Sequence, residues 1–198
     1  MFLLSFASRD RPDPVPALVD ALGPIPTVLP PERTSGPHVL ALLARADAAR
    51  EALLAAAELG SWRIGLGIGP VERPLPASVR ELDGQVVVAA REAARAARVT
   101  SSIPLAVRAA DPRHEATAAD AEAVARLIGW MVTTRNRGQW RVVRALREDP
   151  EATQRELADR LGITQQTVSR AVKTSGWREE HAAHPLLERL LGMIDLTS

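Results

Sequence analysis

The sequence predicts an α/β (α+β) N-terminal domain with a small mixed sheet, followed by an all-α helix-turn-helix domain. Three observations predict it. Short strand-like apolar runs interleave with helical patterns as far as Asp111-Pro112, and from Glu115 onward only helical periods occur. Within that second part, residues 154–173 read as two short helices separated by a single glycine. At 198 residues the chain has room for two small domains, and the expected division is 1–112 and 113–198.

Each element has its own reason. Residues 1–7 read as a strand, and charges directly after the apolar run argue against a secretory leader. Val15–Leu22 reads as a short helix ended by Gly23-Pro24, and residues 25–29 as a second strand. "PPERTSGP" is expected to be a loop, and "HVLALLA" to run into the helical pattern "RADAAREALLAAAELG", stopped by Gly60. Residues 62–68 read as a strand, "PVERPLP" as a turn or hairpin loop, and Asp83 as the cap of a helix reaching about Arg98. "IPLAVRAA" is a further strand, and the helices that follow are expected to break near Gly138, Pro150, Gly162 and Gly176.

Composition narrows the function classes. The chain has no cysteine, which removes disulfides, thiolate nucleophiles and cysteine-based zinc sites. No run approaches the roughly 18 apolar residues of a membrane helix, so a cytoplasmic protein is expected. Lys173 is the one lysine among 25 basic residues, so arginines here carry meaning by position rather than by number.

"WRIGLGIGP" (62–70) has the spacing of neither a dinucleotide fingerprint nor a Walker loop, and the prolines after it do not open a helix. A period of two places Trp62, Ile64, Leu66 and Ile68 on one face and Arg63, Gly65, Gly67 and Gly69 on the other. The bare face is expected to receive another part of the chain; a ligand surface and a bulge are the alternatives.

"WRIGLGIGPVE" and "RELDGQVVVAAREAARAA" together resemble the glycine-rich strand and following helix of the SatD family, over roughly residues 38–178. More distantly, the region is similar to the palm of class III nucleotidyl cyclases. That palm carries two metal-binding aspartates, on its first strand and on a Gly-Asp turn near the second. In "LLSFASRD" and "SGPHVLALL" this chain has residues 5–7 and Pro37 at those places. Arg91 stands where such folds carry a phosphate-facing arginine, but Val87 replaces the expected asparagine. The resemblance therefore implies a palm without metal-assisted chemistry. No enzyme activity, no cofactor and no metal are expected. Arg91, Arg95 and Arg98 share a helix face and read as solvated.

The most informative stretch is "QRELADRLGITQQTVSRAVK" (154–173). Leu157, Leu161, Ile163, Val168 and Val172 are spaced to join two crossing helices, with Ala158 small at the crossing. Gly162 suits a left-handed turn, and Thr164 suits the cap of the second helix. Gln165, Gln166, Ser169, Arg170 and Lys173 are left pointing outward, as on a recognition helix. Glutamine pairs with adenine and arginine with guanine, so Gln165, Gln166, Ser169 and Arg170 fit base readout of double-stranded DNA, while Lys173 fits a phosphate contact. Residues 135–178 hold ten basic and five acidic side chains, and Arg135, Arg137 and Arg141 precede the unit as phosphate contacts. The expected function is a sequence-specific DNA-binding transcriptional regulator; a nucleotide-binding or phosphoryl-transfer protein using the cyclase-like domain, and a protein-docking adaptor, are the alternatives.

Six further expectations complete the reading. Trp140, Val142, Val143 and Leu146 should pack inward from a support helix, and Trp177 should pack on the bundle. "HAAH" (181–184) after Glu179 and Glu180 reads as polar surface, since no third metal ligand is apparent. A helix over 116–132, through Val124, Leu127, Ile128 and Met131, either joins a homodimer or packs on its own N-terminal domain. "HPLLERLLGMI" either closes the core or joins the same dimer, and the N-terminal domain is the place for a small-molecule or protein effector.

Overall fold

The computed structural model describes residues 1–8, 13–60, 62–100 and 102–196. In chain order the elements are β1 (Phe2–Ala7), α1 (Val15–Leu22), β2 (Leu29–Arg33), β3 (His38–Leu43), α2 (Ala46–Leu59), β4 (Arg63–Ile68), α3 (Gln85–Val99) and β5 (Leu105–Ala109). Five helices follow: α4 (Glu115–Thr133), α5 (Arg137–Glu148), α6 (Gln154–Leu161), α7 (Gln165–Thr174) and α8 (Trp177–Leu196). The strands form one mixed sheet in the order β2-β3-β1-β4-β5. Only the β4–β5 pair is parallel. Up to β4 this is the split β-α-β plan of ferredoxin-like sheets, and the α3 crossover adds β5 as a parallel edge. Residues 9–10 of "LLSFASRD" lie outside the described residues.

Alternation on the central strand decides which helices go where. Phe2, Leu4 and Phe6 of β1 lie opposite Leu43, Ala41 and Val39 of β3, and opposite Ile68, Leu66 and Ile64 of β4. That face is covered by α1, α2, α4 and α8, which together form the main core. The other face carries Leu3, Leu42, Gly65 and Gly67 and is covered by α3. A Cβ built on Gly65 would stand 2.7 Å from Ala94 Cα, and one on Gly67 would stand 2.7 Å from Ala90 Cα. The glycines thus let the α3 backbone lie directly on β4, and the chain itself fills the bare face.

A second core holds α5, α6 and α7: Val142, Val143, Leu146, Leu157, Val168, Val172 and Trp177 are buried together. The helical segment after residue 113 is therefore shared between two cores, because α4 and α8 pack on the sheet. On α4, Ile128 is buried and Val124 and Met131 pack against the sheet core, whereas Leu127 and Trp130 remain 65% and 58% exposed. The same helix seals the sheet edge. Val107 N–H donates to Glu122 at 3.0 Å, and Arg126 Nε donates to the Leu105 carbonyl at 2.8 Å. Paired edge groups cannot template another strand.

Four local expectations are corrected. The second strand is Leu29–Arg33, not residues 25–29, so part of "PPERTSGP" is strand. Its two prolines are tolerated because β2 is the outermost strand and its pairing with β3 shifts register between Leu29 and Glu32, across both prolines. "HVLALL" is β3 rather than the start of a helix, since a continuous apolar run fits either state and pairing with β1 decides it. "PVERPLP" is not a hairpin loop, because β4 leads through α3 into a parallel partner. The cap of α3 is Gly84; Asp83 instead accepts the Gly84 N–H at 2.8 Å.

Candidate nucleic-acid interface

The two-helix unit is assembled by short-range polar contacts around a small apolar centre. Thr153 opens α6 through a capping box: its hydroxyl accepts the Glu156 N–H at 3.3 Å, and the Glu156 carboxylate accepts the Thr153 N–H at 2.7 Å. The Thr153 N–H, together with the Thr153 hydroxyl that donates to the same carboxylate at 2.8 Å, holds the Glu156 carboxyl below its ordinary pKa. Gly162 ends the helix in the left-handed region at φ 61°, so the chain reverses without Cβ strain. Thr164 then caps α7, its hydroxyl accepting the Thr167 N–H at 3.2 Å.

Helix α5 holds this pair in place. Asn136 and Gln139 form its own capping box, and the Gln139 amide also donates to the Thr174 carbonyl at 2.9 Å, at the end of α7. Arg141 donates to the Leu161 carbonyl at the end of α6, where a cation meets the negative end of the helix dipole. One support helix thus grips the C-termini of both.

With the centre filled by Leu157, Ala158, Val168 and Val172, the side chains of Thr164, Gln165, Gln166, Ser169, Arg170 and Lys173 are all exposed. They form one polar surface on α7. Arg137 and Arg141 of α5 are exposed as well. Among the described residues, Arg137, Arg141, Arg155, Arg170, Lys173 and Arg178 have no acidic partner.

The remaining basic residues of the segment do other work. Arg144 and Arg147 both reach Glu58 on α2, at 2.7 Å and 3.1 Å. Arg160 pairs with Asp149 at 2.8 Å. Arg135, expected to reach phosphates, is buried instead: its guanidinium pairs with Glu180 and donates to the Ser175 carbonyl at 2.8 Å. The cause is tertiary. Arg135 lies in the connection between α4 and α5, and the turn there directs it under α8 and against the Trp140 ring, 5.0 Å from its centroid.

Glu180 is the residue that sequence reasoning missed. It was expected on a polar surface, yet its side chain is 0% exposed and meets Arg135, Arg147 at 2.9 Å and His184 at 3.4 Å. Burial alone would raise its pKa, but His184, Arg147 and Arg135 outweigh burial and hold it at about 2. One signal was available. Trp177, Glu180, Leu187, Leu191 and Ile194 share the inward face of α8, so the acid stands inside an apolar stripe. His184 is nearly buried too, whereas His181 stays exposed beside it. Trp177 packs in the helical core, as its place after Gly176 predicted. No group of three metal-ligating side chains gathers among the described residues.

This geometry seats α7 on α5 and α6 with its polar side chains exposed. Residues 133–174 match the family model described as the MarR family. The chain carries a C-terminal helix-turn-helix. The match spans the end of α4 through α7 and does not extend into the sheet. No curated protein and no solved structure matches the chain. No helix among the described residues is long and apolar enough to cross a membrane.

Proposed function

We propose that this chain is a sequence-specific DNA-binding protein, a transcriptional regulator whose α7 reads the major groove. The observation that carries the reading is the α7 surface: five exposed polar side chains, Gln165, Gln166, Ser169, Arg170 and Lys173, that serve neither core nor fold, on a helix clamped at its far end by Gln139. The likeness of residues 133–174 to the MarR family supports it. The sheet domain is SatD-like in sequence and carries no paired carboxylates where a cyclase palm would hold metal. Its role is sensing, dimerisation or docking rather than catalysis.

Base readout falls to Gln165, Gln166, Ser169 and Arg170, early on α7, with Thr164 at its cap near the backbone. Arg137, Arg141 and Lys173 act on phosphates, which position the protein but carry no sequence information. Gln166→Ala or Arg170→Ala is expected to cost about 1–3 kcal/mol on the preferred duplex and to relax its sequence there. Arg137→Ala is expected to weaken every duplex alike and to lower the salt slope by about one. Arg141 is the poorer probe, since it also holds the α6 C-terminus. Binding series on selected and scrambled duplexes at several salt concentrations measure both. If Gln166→Ala and Arg170→Ala leave both duplexes bound as before, α7 does not read DNA and docking to protein takes its place.

One recognition helix reads a single half-site, so a second copy is part of the proposal. Leu127 and Trp130, a turn apart on the outer side of α4, are its contact surface, with Leu186 and Met193 exposed on the adjoining α8. Trp130→Glu should convert a dimer into a monomer in sedimentation equilibrium. A wild-type protein that is monomeric both free and on DNA excludes the dimer.

A further inference from the structure

The arginines packed on and around the sheet divide into two groups. Arg33, Arg45, Arg50, Arg108, Arg113 and Arg126 each meet an acid: Asp13, Asp47, Glu188, Glu122, Asp111 and again Glu122. Among the described residues Arg63, Arg91, Arg95 and Arg98 meet none, and all four lie on the side of the sheet that α3 covers. The fold draws them together. Arg91, Arg95 and Arg98 are spaced i, i+4, i+7 and stand exposed along about 10 Å of helix. Helix α3 runs against β4, with Gly67 facing Ala90 and Gly65 facing Ala94. The same step, two residues of strand for four of helix, brings the half-buried Arg63 level with Arg98. Glu92, the one acid of α3, turns the other way and lines a cavity between α3 and α4. Solvation would account for any one of these arginines; four unpaired cations on one stretch of surface form a site for a polyanion.

We infer that this surface is a second contact for double-stranded DNA, made through phosphates and blind to sequence. Guanidinium groups form strong charge-assisted hydrogen bonds to phosphate oxygens, and a line of cations suits a backbone of evenly spaced charge. Single strands fit less well, because α3 carries no aromatic ring on which bases could stack. A protein partner fits less well too. Between its arginines α3 offers only alanine and Glu92, whereas protein contacts centre on large anchoring side chains.

The position of the surface sets its consequence. The helix-turn-helix attaches to the opposite face of the sheet, through α8 and through the contacts of Arg144 and Arg147 with Glu58 on α2. A duplex on α3 is therefore a different segment from a duplex on α7, and one molecule holds both. This bridging half rests on the DNA-binding reading of α7; phosphate binding at α3 does not.

Fluorescence anisotropy with a labelled scrambled duplex tests the surface, in a full-length protein whose α7 is disabled by Arg170→Glu and Lys173→Glu. That protein is expected still to bind at low salt. Adding Arg91→Gln, Arg95→Gln and Arg98→Gln should weaken binding at least about tenfold and lower the salt slope by about three. Arg91→Lys, Arg95→Lys and Arg98→Lys should keep it, since a phosphate contact needs the charge rather than the fork. These side chains are exposed, and thermal unfolding verifies that each variant folds. No binding by the α7-disabled protein, binding unmoved by the glutamine substitutions, or competition by a single strand or by polyglutamate as strong as by duplex overturns the surface. For bridging, an immobilised duplex of the selected sequence captures the protein, and a labelled scrambled duplex is then added. Retention of the second duplex that the three glutamine substitutions abolish supports bridging; no retention, or retention they leave unmoved, overturns it. If selected and scrambled duplexes bind alike while the α3 substitutions weaken both, the reading of α7 falls and the α3 contact stands.

Discussion

Gly67→Ala is expected to destabilise the protein by more than about 3 kcal/mol, beyond the usual cost of an added core methyl. The new Cβ would stand 2.7 Å from Ala90 Cα and from the Val86 carbonyl oxygen, both of them α3 backbone. No side chain can rotate away to make room, so α3 must lift off β4. Gly192→Ala is the matched control. It lies in α8 with nothing within 4 Å of the added atom, and helix propensity alone should then stabilise by about 0.5–1 kcal/mol. Urea unfolding of the two variants should therefore shift in opposite directions. A Gly67→Ala protein as stable as wild type would show that α3 does not rest on the strand.

Glu180→Ala is expected to cost about 3–5 kcal/mol, because it leaves Arg135 charged and unpaired in an interior where its side chain is 1% exposed. The same pair makes stability depend on pH. The carboxyl's pKa falls from 4.5 to about 2 on folding. Its contribution is therefore complete above about pH 4.5 and is lost as pH falls toward 2, amounting to about 3 kcal/mol. Unfolding midpoints at pH 6 and pH 3 should differ in wild type, and differ much less in Glu180→Ala. Arg135→Met with Glu180→Leu should recover most of the loss, since a well-packed apolar pair of similar volume replaces a buried ion pair at little cost. Equal pH dependence in wild type and Glu180→Ala would sink this account.

Much of the candidate site was legible because its signals are local. Thr164 as a cap, Gly162 as the left-handed turn and Leu157 with Val168 as the crossing all act within a few residues, and each stands where its spacing put it. The outward set on α7 follows from the same helical period. The two-faced reading of β4 held for a similar reason: alternation is a property of any strand, and the glycines left one face with nothing but backbone to offer.

Other features needed the third dimension. "HVLALL" has no period that separates strand from helix, and only its pairing with β1 made it β3. "LPPER" became a strand because an edge forgives proline, and being at an edge is a fact about the whole sheet. The arginines divide in the same way. Among the described residues, Arg137 and Arg170 meet no acid, while Arg135, Arg144 and Arg147 are taken by Glu58 and Glu180, from helices distant in sequence. By itself, then, the sequence determined the order of a small mixed sheet followed by a helical region, the turn and the α7 cap of the helix-turn-helix, and the glycine face of β4. The tertiary structure alone decided that α4 and α8 belong to the sheet core and which charges are buried. Backbone period and capping are settled by neighbours in the chain, whereas burial and charge pairing are settled by whatever the fold brings alongside.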